Sequence, residues 1–232
     1  MLRGLIAAAV FAVSSLGGMA QAGERAVVIE LYTSQGCSSC PPADALLHEL
    51  AQRDDVIPLA LHVDYWDYIG WKDEFARPEH TTRQKAYAHA AGQRTIYTPQ
   101  MIVGGRDHVV GYKPMRLAEL IEQHRSLAQS VEITLTRDGA NLTVAAVRTA
   151  PTGQMVVQLV QYQPSASVSI RRGENKGRTL DYANIVTDWQ VLDNWDGAEP
   201  LSLQAEVDAA YPVVVLVQEP GAGAILAAAR LR

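Results

Sequence analysis

Glu30-Leu-Tyr-Thr-Ser-Gln-Gly-Cys37-Ser-Ser-Cys40-Pro-Pro-Ala-Asp44 links an apolar, β-rich run, Ala26 to Tyr32, to an amphipathic run from Pro41 to Ala51. The first reads as a buried strand and the second as a helix with proline in its opening turn. Cys37 and Cys40 are the only two cysteines of the 232-residue chain, and they fall at the junction. A helix N-terminus carries unpaired N–H groups and a partial positive charge, which favour a thiolate over a thiol. The pair is therefore expected to act as a redox dithiol. Cys37, at the exposed end, is the attacking thiolate, and Cys40, one turn further in, is its resolving partner. C-x-x-C also occurs as half of a zinc site, but zinc takes three or four protein ligands and no second cysteine pair completes a structural site. A permanent disulfide is the other alternative. Closing so short a loop restrains little chain entropy, so stability alone is a weak reason for it.

Outward from this junction, strands and helices alternate as far as about Ser130. After the helix near 41 to 53 comes the apolar strand Val56 to Val63, a βαβ unit that makes the first two strands parallel. A long connection, Asp64 to Tyr97, holds an aromatic cluster (Tyr65, Trp66, Tyr68, Trp71, Phe75) and a helix opened by Pro78 and closed by Gly92. Pro99 to Val103 and His108 to Val110 flank Gly104-Gly105-Arg106-Asp107 as a hairpin, and Met115 to Leu127 forms a last helix with Leu117, Leu120, Ile121 and His124 along one side. Beyond Ser130 the helical periodicity stops. Short alternating segments follow, among them Gln154 to Tyr162, Ser167 to Arg171 and Ile185 to Leu192, with Asp138-Gly139 as an early hairpin turn. They predict an antiparallel β-sandwich. The expected organisation is a signal peptide over 1–22, an α/β domain over 23–129 and a β-rich domain over 130–232.

Arg3, the apolar run Leu5 to Leu16 and the small residues Ala20-Gln21-Ala22 form the pattern of a secretory signal peptide, so a periplasmic or secreted protein is expected. No later segment is long and apolar enough for a membrane-spanning helix. A formal charge of −5 with 19% charged residues and no basic stripe excludes nucleic acid as a partner class.

The order strand, C-x-x-C helix, strand, inserted helix, proline-led hairpin, helix resembles the thioredoxin-like fold, and within it the small glutaredoxin-like form. Tyr97-Thr98-Pro99-Gln-Met-Ile-Val-Gly-Gly resembles the stretch in which such proteins place a cis-proline facing the dithiol. More narrowly, Glu30 to Asp44, His62-Val-Asp-Tyr-Trp66 and Arg172-Gly-Glu-Asn-Lys-Gly-Arg178 resemble the secreted bacterial DUF1223 family, a domain of unknown function, over nearly all of the mature chain. The resemblance implies thiol–disulfide exchange with a protein or small-molecule thiol or disulfide, with no cofactor and no resident metal. It implies that Pro99 keeps the site open beside the sulfurs while Thr98, next to Tyr97, presents its backbone to an extended substrate. It also implies that Glu30 takes the place of the buried acid with which thioredoxins deprotonate the second cysteine; a glutamate simply paired with a lysine or arginine is the alternative. Two departures stand out. Gly36 replaces the aromatic residue that commonly precedes the first cysteine, and Ser38-Ser39 replaces the usual spacers, so the approach to Cys37 is expected to be unusually open.

His62 and Asp64 fall on one face at the carboxyl end of the second strand, the end that carries the site in parallel sheets. With the two cysteines they would make a copper or zinc site, and a copper-binding module is the alternative function. Arg171, Arg172, Lys176 and Arg178 surround Gly173 and Gly177 in what reads as a solvated loop.

Overall fold

The computed structural model describes residues 26–232; the signal peptide expected over 1–22 lies outside the described residues. β1 (Val27–Thr33) and β2 (Val56–His62) are buried throughout and run parallel, in register from Val27↔Val56 to Thr33↔His62. α1 (Pro41–Leu50) connects them. After β2 come a 3-10 turn at Asp67–Ile69, α2 (Pro78–Ala90), β3 (Gln100–Val103), β4 (Asp107–Val110) and α3 (Pro114–Arg125). Alternation along β1 sorts its side chains onto two cores. Val27, Ile29 and Leu31 pack with Ala43 and Leu47 of α1 and with Leu117, Leu120 and Ile121 of α3. Val28 and Tyr32 pack on the opposite face with Tyr87 of α2. The β3–β4 turn closes with Arg106 N–H donating to the Val103 carbonyl, and its central residues Gly104 and Gly105 have φ of 56° and 71°. Two successive positive φ values are what a tight hairpin turn of this hand needs, and two glycines supply them without a Cβ clash.

The second half contributes β5 (Val131–Asp138), β6 (Asn141–Arg148), β7 (Met155–Ser169), β8 (Thr179–Trp195), β9 (Leu201–Glu206), β10 (Val213–Gln218) and β11 (Ile225–Leu231). A face-to-face pair of sheets is present: β5, β6 and β9 form a three-stranded sheet whose Val131, Ile133, Leu142 and Val144 pack on Val157, Leu159, Val213 and Val215. The second layer does not belong to the second half alone. β7, β8, β10 and β11 extend the first sheet into one of eight strands, in the order β11-β10-β7-β8-β2-β1-β3-β4. The molecule is thus a mixed α/β structure around a large, mostly antiparallel sheet, and that sheet continues across the boundary expected near 129. Among the described residues no helix is long and apolar enough to cross a membrane.

The junction between the halves is the β2–β8 contact, a parallel bridge at Ala60↔Ile185. Beside it, Asn184 has φ 48° and its Nδ2 donates to the Pro58 carbonyl at 2.8 Å. Pro58 has no N–H to offer the strand on that side, so a regular ladder cannot form there and a side-chain amide replaces part of it. Asparagine tolerates the left-handed backbone that aims the amide.

β7 and β8 are longer than the sequence suggests. The segments Gln154 to Tyr162 and Ser167 to Arg171 are one 15-residue strand, paired with the 17-residue β8 from Met155↔Trp195 to Ser169↔Thr179. Pro164 does not break it, because β10 covers the other edge of β7 only from Val156 to Gln161, and a missing N–H on an uncovered edge is tolerated. Beyond that point the hairpin projects as an arm whose tip, residues 170–178, reaches the start of α1.

Candidate functional site

Cys37 and Cys40 are disulfide-bonded. Cys40 is the N-cap of α1, and Pro41 and Pro42 follow it. The N–H groups of Ala43 and Asp44 both go to the Cys40 carbonyl, and the two prolines have none. The helix end therefore offers its dipole to a thiolate but fewer free amides than an ordinary N-terminus. Ser38 and Ser39 are exposed, whereas Cys37 and Cys40 are only 1% and 0% exposed.

The open approach expected from Gly36 is not found. A Cβ on Gly36 would lie 3.1 Å from Ile69 Cδ1 and 3.2 Å from Trp66 Cβ, so the loop after β2 covers that flank. Trp66 Nε1 in turn donates to Thr98 Oγ1 at 2.7 Å, and the Thr98–Pro99 peptide is cis. Trp66 thus links Thr98 to the cysteine loop. Tyr97 is fixed from behind, its carbonyl accepting from Gln84 Nε2 at 2.8 Å.

Glu30 lies elsewhere. As an even-numbered residue of β1 it points with Val28 and Tyr32 toward α2, away from the helix that carries Cys40. Its carboxylate accepts from Arg83 Nε and Nη2 at 2.7 and 2.9 Å, from Tyr87 OH at 2.6 Å and from Tyr32 OH at 3.0 Å. The arginine pairing is the arrangement adopted, and the carboxylate is fully occupied by it.

The buried acid on the cysteine side is Asp44, one turn after Cys40 on α1. Its Oδ1 accepts from Thr33 Oγ1 at 2.7 Å, and its Oδ2 has no hydrogen-bond partner among the described residues. Burial raises its carboxyl to about pH 7, against the opposing pull of His62 and of the Thr33 hydrogen bond. His62 lies beside Thr33 in the parallel register; its Nδ1 is 2.7 Å from Asp73 Oδ2 and its ring meets Phe75 and Tyr182 edge-on at 5.2 and 4.9 Å. Burial opposes ionisation of Asp73, but the His62 ring and the N–H groups of Gln35 and Phe75 hold its carboxyl below the usual range. His62 Nε2, Tyr182 OH and Gln35 Nε2, like Asp44 Oδ2, are buried without a hydrogen-bond partner among the described residues.

His62 and Asp64 do not form one site with the cysteines. Asp64 accepts from Thr81 Oγ1 at 2.6 Å, and among the described residues no group of three or more His, Cys, Asp or Glu is placed to hold a metal ion.

The tip at 170–178 is anchored rather than merely solvated. Asn175, 1% exposed, donates from Nδ2 to the carbonyls of Gln35 and Cys37 at 2.9 and 3.0 Å, and its Oδ1 accepts from Arg178 Nη1 at 3.0 Å. Gly173, at φ 76°, packs so closely that a Cβ would lie 3.3 Å from Trp71 Cβ, while Trp71 Nε1 donates to Gln35 Oε1 at 2.7 Å. Asn175→Ala takes the donor from the buried Gln35 carbonyl and one of two donors from the Cys37 carbonyl, which keeps the Cys40 N–H. It is expected to destabilise the protein by about 2–3 kcal/mol in urea unfolding and to speed reduction of the disulfide by dithiothreitol several-fold.

A family model described as a protein of unknown function, DUF1223, matches residues 28–218. The crystal structure of protein AGR_C_4864 from Agrobacterium tumefaciens is similar at a TM-score of 0.77, with 32% identity over 90% of this chain and 96% of that one. HBP35 of Porphyromonas gingivalis is similar in fold alone, at a TM-score of 0.64 and 15% identity over 90% of this chain and 75% of that one. No curated protein matches the chain.

Proposed function

The chain belongs to the DUF1223 family, and on that premise we propose that it is an extracytoplasmic, thioredoxin-like protein whose Cys37–Cys40 pair exchanges with protein or small-molecule thiols and disulfides. The observation that carries the reading is the buried carboxyl of Asp44 with one unpartnered oxygen, a helical turn from Cys40. A purely structural bridge has no use for an ionisable group so costly to bury. The signal-peptide pattern over 1–22 supports the compartment.

In this reading an incoming thiolate attacks Cys37 Sγ, the S–S bond breaks, and its electron pair leaves on Cys40 Sγ. The Cys40 thiolate takes up a proton, which neutral Asp44 supplies. A second thiol then attacks the mixed disulfide. Two thiols leave as one disulfide and the protein keeps the dithiol; the reverse sequence oxidises a substrate. An acid titrating near neutrality suits both directions, because it gives and regains the proton at little cost. Both sulfurs are covered, so exchange requires the surrounding loops to part. That burial is also what favours the second reading, a permanent bridge.

Equilibration against glutathione buffers separates the two. Exchange predicts a reduction potential above about −300 mV, within reach of cellular thiols, whereas a value below that marks a structural disulfide.

A further inference from the structure

The tip that Asn175 anchors carries four cations, Arg171, Arg172, Lys176 and Arg178, against one carboxylate, Glu174, in a chain of formal charge −5. All five side chains are exposed. Arg178 is engaged by Asn175 and shares a groove with Glu49 and Asp181, but Arg171, Arg172 and Lys176 have no acidic partner among the described residues. The segment packed beneath the tip does not cancel them. It presents Lys72 and Arg77 against Glu74 at the surface, with Asp67 half-buried and Asp73 turned onto His62. Lys176 directly follows the residue whose amide touches the Cys37 carbonyl, so the cationic tip is tied to the backbone of the cysteine loop.

Resting on the exchange reading, we infer that this tip selects the partner, favouring thiols and disulfides that carry a negative group beside the reacting sulfur. Exposed charges about 10 Å apart attract appreciably at low salt and are mostly screened at high salt, so the selectivity is electrostatic and salt-sensitive.

Reduction of the oxidised protein is measured with 2-mercaptoethanesulfonate, 2-mercaptoethanol and cysteamine, which present an anionic, a neutral and a cationic group. Each rate is taken per thiolate and divided by that for 2-mercaptoethanol. At about 20 mM salt the anionic thiol is expected to exceed the cationic one roughly tenfold, and at about 500 mM roughly twofold. R171S/R172S/K176S is expected to bring the low-salt ratio close to the high-salt one. Normal reduction by 2-mercaptoethanol with no charge preference, or with a preference that survives in the variant, overturns the inference and leaves exchange standing. Failure of 2-mercaptoethanol to reduce the bond overturns the exchange reading, and the inference with it.

Discussion

Cys40→Ser is expected to accumulate mixed disulfides with the protein's exchange partners, and Cys37→Ser to accumulate none. In the unaltered protein a mixed disulfide on Cys37 is attacked by a sulfur already in contact with it, so the intermediate is short-lived. Serine in place of Cys40 removes that intramolecular attack and leaves only external thiols to release the partner, which lengthens the lifetime by about 100-fold or more. The asymmetry between the variants follows from position. Both cysteines are buried, but Cys40 is the N-cap of α1 and is followed by two prolines, whereas Cys37 precedes the exposed Ser38-Ser39 link and lies 3.4 Å from Ser39 Oγ. Acid-quenched extracts resolved without reductant, with mass spectrometry of the adducts, read the result. Equal trapping by both variants would reverse the assignment of Cys37 as the attacked and attacking sulfur, and adducts with neither would leave the bond a structural one.

Asp44→Asn is expected to stabilise the oxidised protein at alkaline pH while slowing exchange. The carboxyl titrates near 3.8 in the unfolded chain and near 7 when folded, because burial disfavours its charge. Between these values the folded state holds a proton that the unfolded state has lost, so stability falls as pH rises from about 4 to about 7 and stays low above that. Asparagine cannot ionise and keeps the Thr33 hydrogen bond through its carbonyl oxygen. The variant should gain about 2–4 kcal/mol over the parent at pH ~8 and almost nothing at pH ~4 in urea unfolding. Without a proton to give the departing Cys40, reduction near neutrality should slow by roughly 10–100-fold. A gain in stability independent of pH would show that the folded carboxyl is not the titrating group, and an unchanged exchange rate would remove it from the proton path.

The first half of the fold was legible because its information is local. Apolar runs of period two and of helical period, prolines at helix starts and a Gly-Gly turn each act within a few residues, and β1, α1, β2, α2, the β3–β4 hairpin and α3 stand where those signals put them. The joining of the second half to the same sheet was not legible. It depends on which edge of β2 stays open, and that edge is finished by the Asn184 side chain on Pro58, residues far apart in sequence. Within the site, Cys37, Cys40 and Thr98-Pro99 could be read from motif and spacing. Of the two roles open to Glu30, the family resemblance suggested the one it does not take: Ile29 and Leu31 face α1, so Glu30 between them faces α2 and pairs with Arg83. Asp44 had a local signal, four residues after Cys40 and hence on the same helix face. Asp73 had none, and Asn175, though it stands in the family-like stretch Arg172 to Arg178, read as part of a solvated loop, since each acts through a partner that only the fold brings near.

The anchoring of the cysteine loop by Asn175 also sets an order of events as the chain matures. The two sulfurs are three residues apart and meet in almost any conformation their loop samples, while the amide that fastens the loop comes from 138 residues downstream of Cys37. So distant a contact is among the last that a growing or refolding chain completes. The pair is therefore open to whatever oxidant or reductant surrounds the nascent chain, and is shut in once the arm docks. Under the proposed exchange the same arm must loosen again before a partner can reach Cys37, so the two bonds from Asn175 would set how readily the folded protein enters the cycle.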